Sequence, residues 1–204
     1  MELSRLFEKC ITVPYINVEN GASFAAERLG NRLQLYFEAS HGTADWENNL
    51  NFPAKPYKRM EDRVWFAHRG FLRVWKSAEE HLAPMINDPA VGEIVIAGYS
   101  HGAALAVLCH EYAWFHRPGL RHRLTGYGFG CPRVIWGIPP KERWAGFTVV
   151  RNIDDVVTHL PPAALGYTHV GHMLEIGETS RYSATDAHRP ENILTELKKY
   201  ERRK

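Results

Sequence analysis

The sequence predicts an α/β fold: a mostly parallel central sheet with helices on both faces, one domain over residues 1–204. Three observations predict it. Short β-branched runs alternate with helical segments through the middle of the chain, the pattern of parallel strands joined by covering helices. The run Glu93-Ile94-Val95-Ile96-Ala97 leads into Gly98-Tyr99-Ser100-His101-Gly102 and then Ala103-Ala104-Leu105-Ala106-Val107-Leu108, so a G-x-S-x-G turn joins a buried strand to a buried helix. The length of 204 residues suffices for one core without staples, and no repeat, low-complexity segment or composition break marks a second domain.

In chain order, Leu3, Leu6, Phe7 and Cys10 recur at helical spacing and predict a short opening helix. Residues 11–18 are rich in β formers, but Pro14 confines them to an edge strand or an irregular segment. Residues 33–38 read as a strand, 40–51 as a polar stretch and 64–66 as another short strand. Phe71, Trp75, Ala78, Leu82 and Met85 share one face of a helix whose other faces carry Arg73, Lys76, Glu79 and Glu80; Asn87-Asp88-Pro89 ends it. The central helix stops before Pro118-Gly119, and further strands are expected over 124–129, 147–150 and 170–176. Ile193, Leu194, Leu197 and Tyr200 define a terminal amphipathic helix, with Pro190 near its start, where proline is tolerated.

Composition narrows the function. Lys plus Arg less Asp plus Glu is 25 − 23 = +2, without the basic stripe of a nucleic-acid binder. The cations at 198–204 suit the C-terminal end of a helix. Cys10, Cys109 and Cys131 are odd in number and widely spaced, which reads as reduced thiols. The first nine residues mix charges of both signs and lack the apolar run of a secretory leader, and no apolar run approaches a membrane span. The expectation is a cytoplasmic protein.

Ser100 is the candidate nucleophile. A serine that attacks must project from a sharp turn, and side chains at Gly98 or Gly102 would collide with the neighbouring strand or helix. The helix after it aims its N-terminal amides where negative charge develops in acyl transfer. Serine also needs a base within reach and an acid to orient that base. In the hydrolase order of Ser, acid, His, the acid falls in Asp154-Asp155 after the 147–150 strand, and the histidine in the loop holding Asp186 and His188 after the last strand. His188 lies past that strand's C-terminal end with the other candidates, whereas His169 lies at its start and reads as a structural histidine.

Four further segments carry a resemblance. Asp155-Val156-Val157-Thr158-His159-Leu160-Pro161-Pro162, Gly166-Tyr167-Thr168-His169-Val170-Gly171, Phe129-Gly130-Cys131-Pro132-Arg133-Val134 and His68-Arg69-Gly70-Phe71 stand in order around the elbow. Together they resemble the class 3 lipase family of α/β-hydrolases, from about Leu33 to the C-terminus, with Thr158 where that family usually has proline and His101 where it commonly has leucine. The resemblance implies an α/β-hydrolase that cleaves carboxylic esters, lipase or esterase, through the triad Ser100, His188 and Asp155. Its register selects Asp155; Asp154 is then a loop carboxylate facing water or capping amides. The oxyanion donors it implies are the backbone amide of His101 and Ser40, though Ser40 also reads as a turn residue or helix cap. No cofactor and no metal is expected: His110-Glu111 begins like a zinc-protease helix, but the next histidine, His116, falls off the required spacing.

The expected partner is a small-molecule or lipid ester, with no nucleic acid and no transmembrane segment. The same triad could serve a thioesterase or an acyltransferase, and a rival of another class is a non-catalytic binding module on the hydrolase scaffold. Residues 43–52 match the lid of the lipases resembled, yet only Trp46, Leu50 and Ala44 can share an apolar face there. They read as a weak lid or an ordinary surface turn, which predicts a preference for short or soluble acyl substrates.

Overall fold

The computed structural model describes residues 2–39, 53–57 and 65–204. The chain opens on helix α1 (Leu3–Thr12), then the short strand β1 (Ile16–Asn17), β2 (Ser23–Leu29) and β3 (Arg32–Phe37). Next come β4 (Ala54–Tyr57), β5 (Trp65–His68), helix α2 (Arg69–Asn87), β6 (Glu93–Tyr99) and helix α3 (His101–His116). The rest is β7 (Leu124–Phe129), β8 (Ile135–Trp136), β9 (Phe147–Asn152), β10 (Tyr167–Thr168), β11 (His172–Ile176) and helix α4 (Pro190–Arg202).

Among the described residues seven strands form one sheet in the order β1-β2-β3-β6-β7-β9-β11. The strands β3, β6, β7, β9 and β11 run parallel, and β1 and β2 add an antiparallel edge. Successive side chains alternate between two cores, as the pleat requires. Leu33, Leu35, Phe37, Ile94 and Ile96 pack under α2 and α3. Tyr36, Val95, Ala97 and Tyr99 pack under α1 and α4. Helices therefore cover both faces. A second, antiparallel sheet, β10-β8-β5-β4, was not foreseen beyond the single strand near residue 65. Among the described residues no helix is long and apolar enough to cross a membrane.

The central helix α3 is buried along almost its whole length, so it is apolar on every side rather than amphipathic. Its one acidic residue, Glu111, is fully buried and paired with Arg143, since an unpaired charge there would be prohibitive. Its start lies hard against the sheet. A Cβ on Gly102 would sit 2.2 Å from the carbonyl oxygen of Phe37 at the end of β3, and one on Gly98 would sit 2.2 Å from the carbonyl oxygen of Gly102. The collisions expected at both glycines are thus explicit.

Three local expectations change. The buried face of α2 runs Phe71, Leu72, Trp75, Ala78, Leu82 and Ile86, while Met85 is 38% exposed; after Leu82 the helix turns its next buried residue at a spacing of four, not three. The last strand begins at His172 rather than Val170, because Gly171 takes a left-handed φ of 74° in contact with Phe147. Strand β2 was unforeseen: Phe24-Ala25-Ala26-Glu27-Arg28-Leu29 lacks β-branched residues, and it is strand because Gly30, at φ 61°, turns it back onto β3.

One buried group gives the fold a pH signature. His110 of α3 lies edge-on to Phe147, ring centroids 5.4 Å apart, and burial pushes its pKa down to about 3. The unfolded chain takes up that proton near pH ~6.5. Stability is therefore complete above that value and is lost as the pH falls, because the unfolded state binds a proton the folded state refuses. The urea midpoint is expected to fall between about pH 6.5 and about pH 4, and to fall less steeply in His110→Leu, measured side by side.

Candidate active site

Ser100 joins β6 to α3 at φ 56°, ψ −120°, a conformation that non-glycine residues rarely hold. Such a position costs on the order of 1–3 kcal/mol and persists only where the surroundings enforce it. Here the Ser100 amide donates to the Phe129 carbonyl at 2.9 Å, and its carbonyl accepts from Ala103 at 3.0 Å. Gly98 and Gly102 let the turn close. The side chain is left at the C-terminal edge of the parallel strands, where ligands of open α/β sheets bind.

The structure brings Ser100, His188 and Asp155 into one hydrogen-bonded chain. Ser100 Oγ lies 2.8 Å from His188 Nε2, and His188 Nδ1 lies 2.8 Å from Asp155 Oδ2. Asp155 follows β9 and is fully buried, and its other oxygen accepts from the Val157 amide at 2.9 Å. A carboxylate only accepts, so it draws the imidazole proton to Nδ1 and leaves the Nε2 lone pair facing the serine hydroxyl. That arrangement can take a proton from Ser100.

The motif segments now have physical reasons. Gly130 takes φ 54°, and a Cβ there would sit 2.8 Å from His188 Cε1 and 3.1 Å from Asp155 Oδ2. The His188 ring packs on bare backbone there, a contact that nothing along the chain marks although Gly130 lies in the Phe129–Val134 segment. Arg133 donates to the carbonyls of His159 and Pro161, clamping the loop after Asp155. Thr158, where proline is usual, donates its hydroxyl to the Asp155 carbonyl at 2.8 Å. His68 caps α2, its Nδ1 accepting from the amides of Gly70 at 3.1 Å and Phe71 at 3.4 Å.

The remaining residues fall as follows. Asp154 accepts from the amides of Ser180 and Arg181 at 3.2 and 3.1 Å, a loop cap outside the hydrogen-bonded chain. His169 donates Nε2–H to the Thr158 carbonyl at 2.8 Å, and burial brings its pKa down to about 4, so it is neutral near pH ~7. His101 is the first residue of α3, directly after Ser100. Ser40 and residues 43–52 lie outside the described residues.

The family described as lipase (class 3) matches residues 34–165. A lipase from Rhizomucor miehei is 28% identical over 159 residues, 72% of this chain and 42% of that protein. Secreted mono- and diacylglycerol lipase 1 of Fusarium solani is 25% identical over 157 residues, 73% of this chain and 45% of that protein. The chain thus spans less than half the length of either relative. The solved triacylglyceride lipase of Rhizomucor miehei superposes with a TM-score of 0.67 at 23% identity, covering 83% of this chain and 68% of that one. The architecture is that of the α/β-hydrolases.

The expected cytoplasmic location is overturned, because the Fusarium relative is a secreted lipase. The cysteines carry no message about compartment. Cys10, Cys109 and Cys131 are each buried in the core and outside any disulfide, and they pack there as small apolar residues.

The geometry yields graded expectations for a soluble ester assay. Ser100→Ala and His188→Ala should each lower turnover by on the order of 10⁴–10⁶, and Asp155→Asn by roughly 10⁴. His169→Ala and Asp154→Asn should keep most of the activity; the reverse ranking would rule out this assignment. Gly130→Ala should displace the imidazole and cost about 10² in turnover, with the folded state checked by circular dichroism.

Proposed function

Because the chain belongs to the class 3 lipase family, we propose that it is a serine hydrolase that cleaves carboxylic esters through an acyl-enzyme. The observation that carries this reading is the unbroken chain from Ser100 Oγ through His188 to Asp155, with both contacts at 2.8 Å. Ser100 attacks the acyl carbonyl while His188 Nε2 takes the hydroxyl proton. The imidazolium so formed keeps its Nδ1–H on Asp155, whose negative charge stabilises it. His188 then gives the proton to the departing alkoxide, which leaves as the alcohol. Water attacks the acyl-serine with His188 again as base, releasing the acid and restoring Ser100. The oxyanion is met by the backbone amide of His101 at the start of α3, with Ser40 as the second donor.

The substrate we infer is a lipid ester of the acylglycerol kind, in line with the relatives. Within that class the polar composition of residues 43–52 favours short or soluble acyl chains, since a segment in which only Ala44, Trp46 and Leu50 can share an apolar face buries little area at ~25 cal/mol per Å² on meeting a lipid surface. A non-catalytic role for the scaffold is disfavoured by the strain held at Ser100, which a mere binding module has no use for.

Two measurements test this. A fluorophosphonate probe should label the wild-type protein and not Ser100→Ala; an unlabelled wild type would remove the nucleophile. The rate on a short-chain triacylglycerol, followed through its solubility limit, should saturate smoothly. A sharp rise on emulsion formation would overturn the preference for soluble substrate and leave the ester hydrolysis standing.

A further inference from the structure

His188 is brought to Ser100 at the end of an exposed segment. After β11 the chain runs through residues 178–185, of which all but Tyr182 are exposed, before a three-residue 3-10 turn, Asp186–His188, leads into α4. The end of that route is held by side chains. Three consecutive carbonyls, of Asp186, Ala187 and His188, accept in turn from Asn192 at 2.8 Å, Asn152 at 3.0 Å and Tyr99 at 2.6 Å. Asn192 and Asn152 hold the backbone before the base. Tyr99 holds the base itself, and holds it twice: its ring also stacks on the imidazole of His188, with centroids 5.2 Å apart and planes 29° from parallel.

Tyr99 is well placed for this. It is the last residue of β6, adjacent to Ser100, and it is 7% exposed. Phe7 of α1 meets its ring edge-on at 5.4 Å, so the ring is braced against the α1 side of the sheet. Burial first, then the charges of Asp155 and Glu191, push the phenol well above its ordinary range, so it remains a donor. The imidazole is thus bounded by the Tyr99 ring and by the bare backbone of Gly130.

We propose that Tyr99 is a positioning residue for the base, registering His188 against the nucleophile from the neighbouring position of the same turn. The proposal rests on the triad reading above. Tyr99 and Ser100 are consecutive, ~3.8 Å apart at Cα, so a shift of the elbow carries nucleophile and clamp together, and the distance from Oγ to Nε2 is preserved. The ring face also meets the positive charge that His188 acquires after attack, a favourable contact for a cation.

The test compares Tyr99→Phe, which keeps the ring and loses the hydrogen bond, with Tyr99→Leu, which loses both. On a soluble short-chain ester, Tyr99→Phe should lower kcat about three- to tenfold and Tyr99→Leu about a hundredfold, each with KM unchanged. By NMR, the ring-proton resonances of His188 should sit upfield in the wild type under the Tyr99 ring, stay there in Tyr99→Phe and move downfield in Tyr99→Leu. A residue that only fills the core would lower the melting temperature without this split of kcat from KM and without the Phe rescue. A labelled wild type with a folded Tyr99→Leu of unchanged kcat, or with unchanged His188 resonances, overturns the proposal alone. A wild type that the fluorophosphonate does not label overturns the triad reading and this proposal with it.

Discussion

The contact on which the rest depends is the one between backbone and backbone where α3 meets the sheet. With no side chain at Gly98 or Gly102, the first turn of the helix seats directly on the end of β3, at separations no Cβ would permit. That seat fixes the direction of α3, and with it the sharp turn at Ser100 and the unusual φ that turn demands. The helix follows suit: Ala103, Ala104 and Ala106 keep it close to the strands, and burial on every side leaves room for no charge except the Glu111–Arg143 pair. Close packing transmits such constraints rigidly, because cores have little free volume to absorb a shift.

Parallel pairing then converts one fixed point into three. The strands β6, β9 and β11 share a direction, so the segments after them emerge along one edge. Ser100 follows the first, Asp155 the second and His188 the third. The loops that carry them are tied by side chains to backbone carbonyls: Arg133 to His159 and Pro161, Thr158 to Asp155, Asn152 to Ala187. The geometry of the site is thus shared between a rigid sheet and a small set of polar latches, which is how loop residues attain the accuracy that acid–base chemistry needs.

What could be read in the sequence was whatever depends on neighbours along the chain. The elbow was legible because its glycines, strand and helix are contiguous. Asp155 was legible from the register of its segment, and His188 from its place after the last strand. What could not be read depends on neighbours through space. Gly130 faces the imidazole from a different strand end, and Tyr99 occupied a free position of G-x-S-x-G; the contacts of both exist only after folding. Strand β2 and the second sheet escaped for the same reason, since Phe24-Ala25-Ala26 has no strand character until β3 is beside it. Met85 and Ile86 exchanged places because a helix period leaves a choice of three or four residues that only packing resolves.

The row of carbonyls held by Asn192, Asn152 and Tyr99 has an evolutionary corollary. Those bonds hold His188 from its C-terminal side and from the sheet, while the carbonyls of Ser183 and Thr185 accept from the amides of Ala187 and His188 at 2.9 and 3.2 Å and hold it from the segment before. The segment can therefore exchange its outward side chains while His188 keeps its address, provided the bonds from Ser183, Ala184 and Thr185 are kept. Its backbone is tied at the near end by Asp154, through the amides of Ser180 and Arg181. Changes on this rim can thus reshape the approach to Ser100 while the hydrogen-bonded chain behind it stays in place.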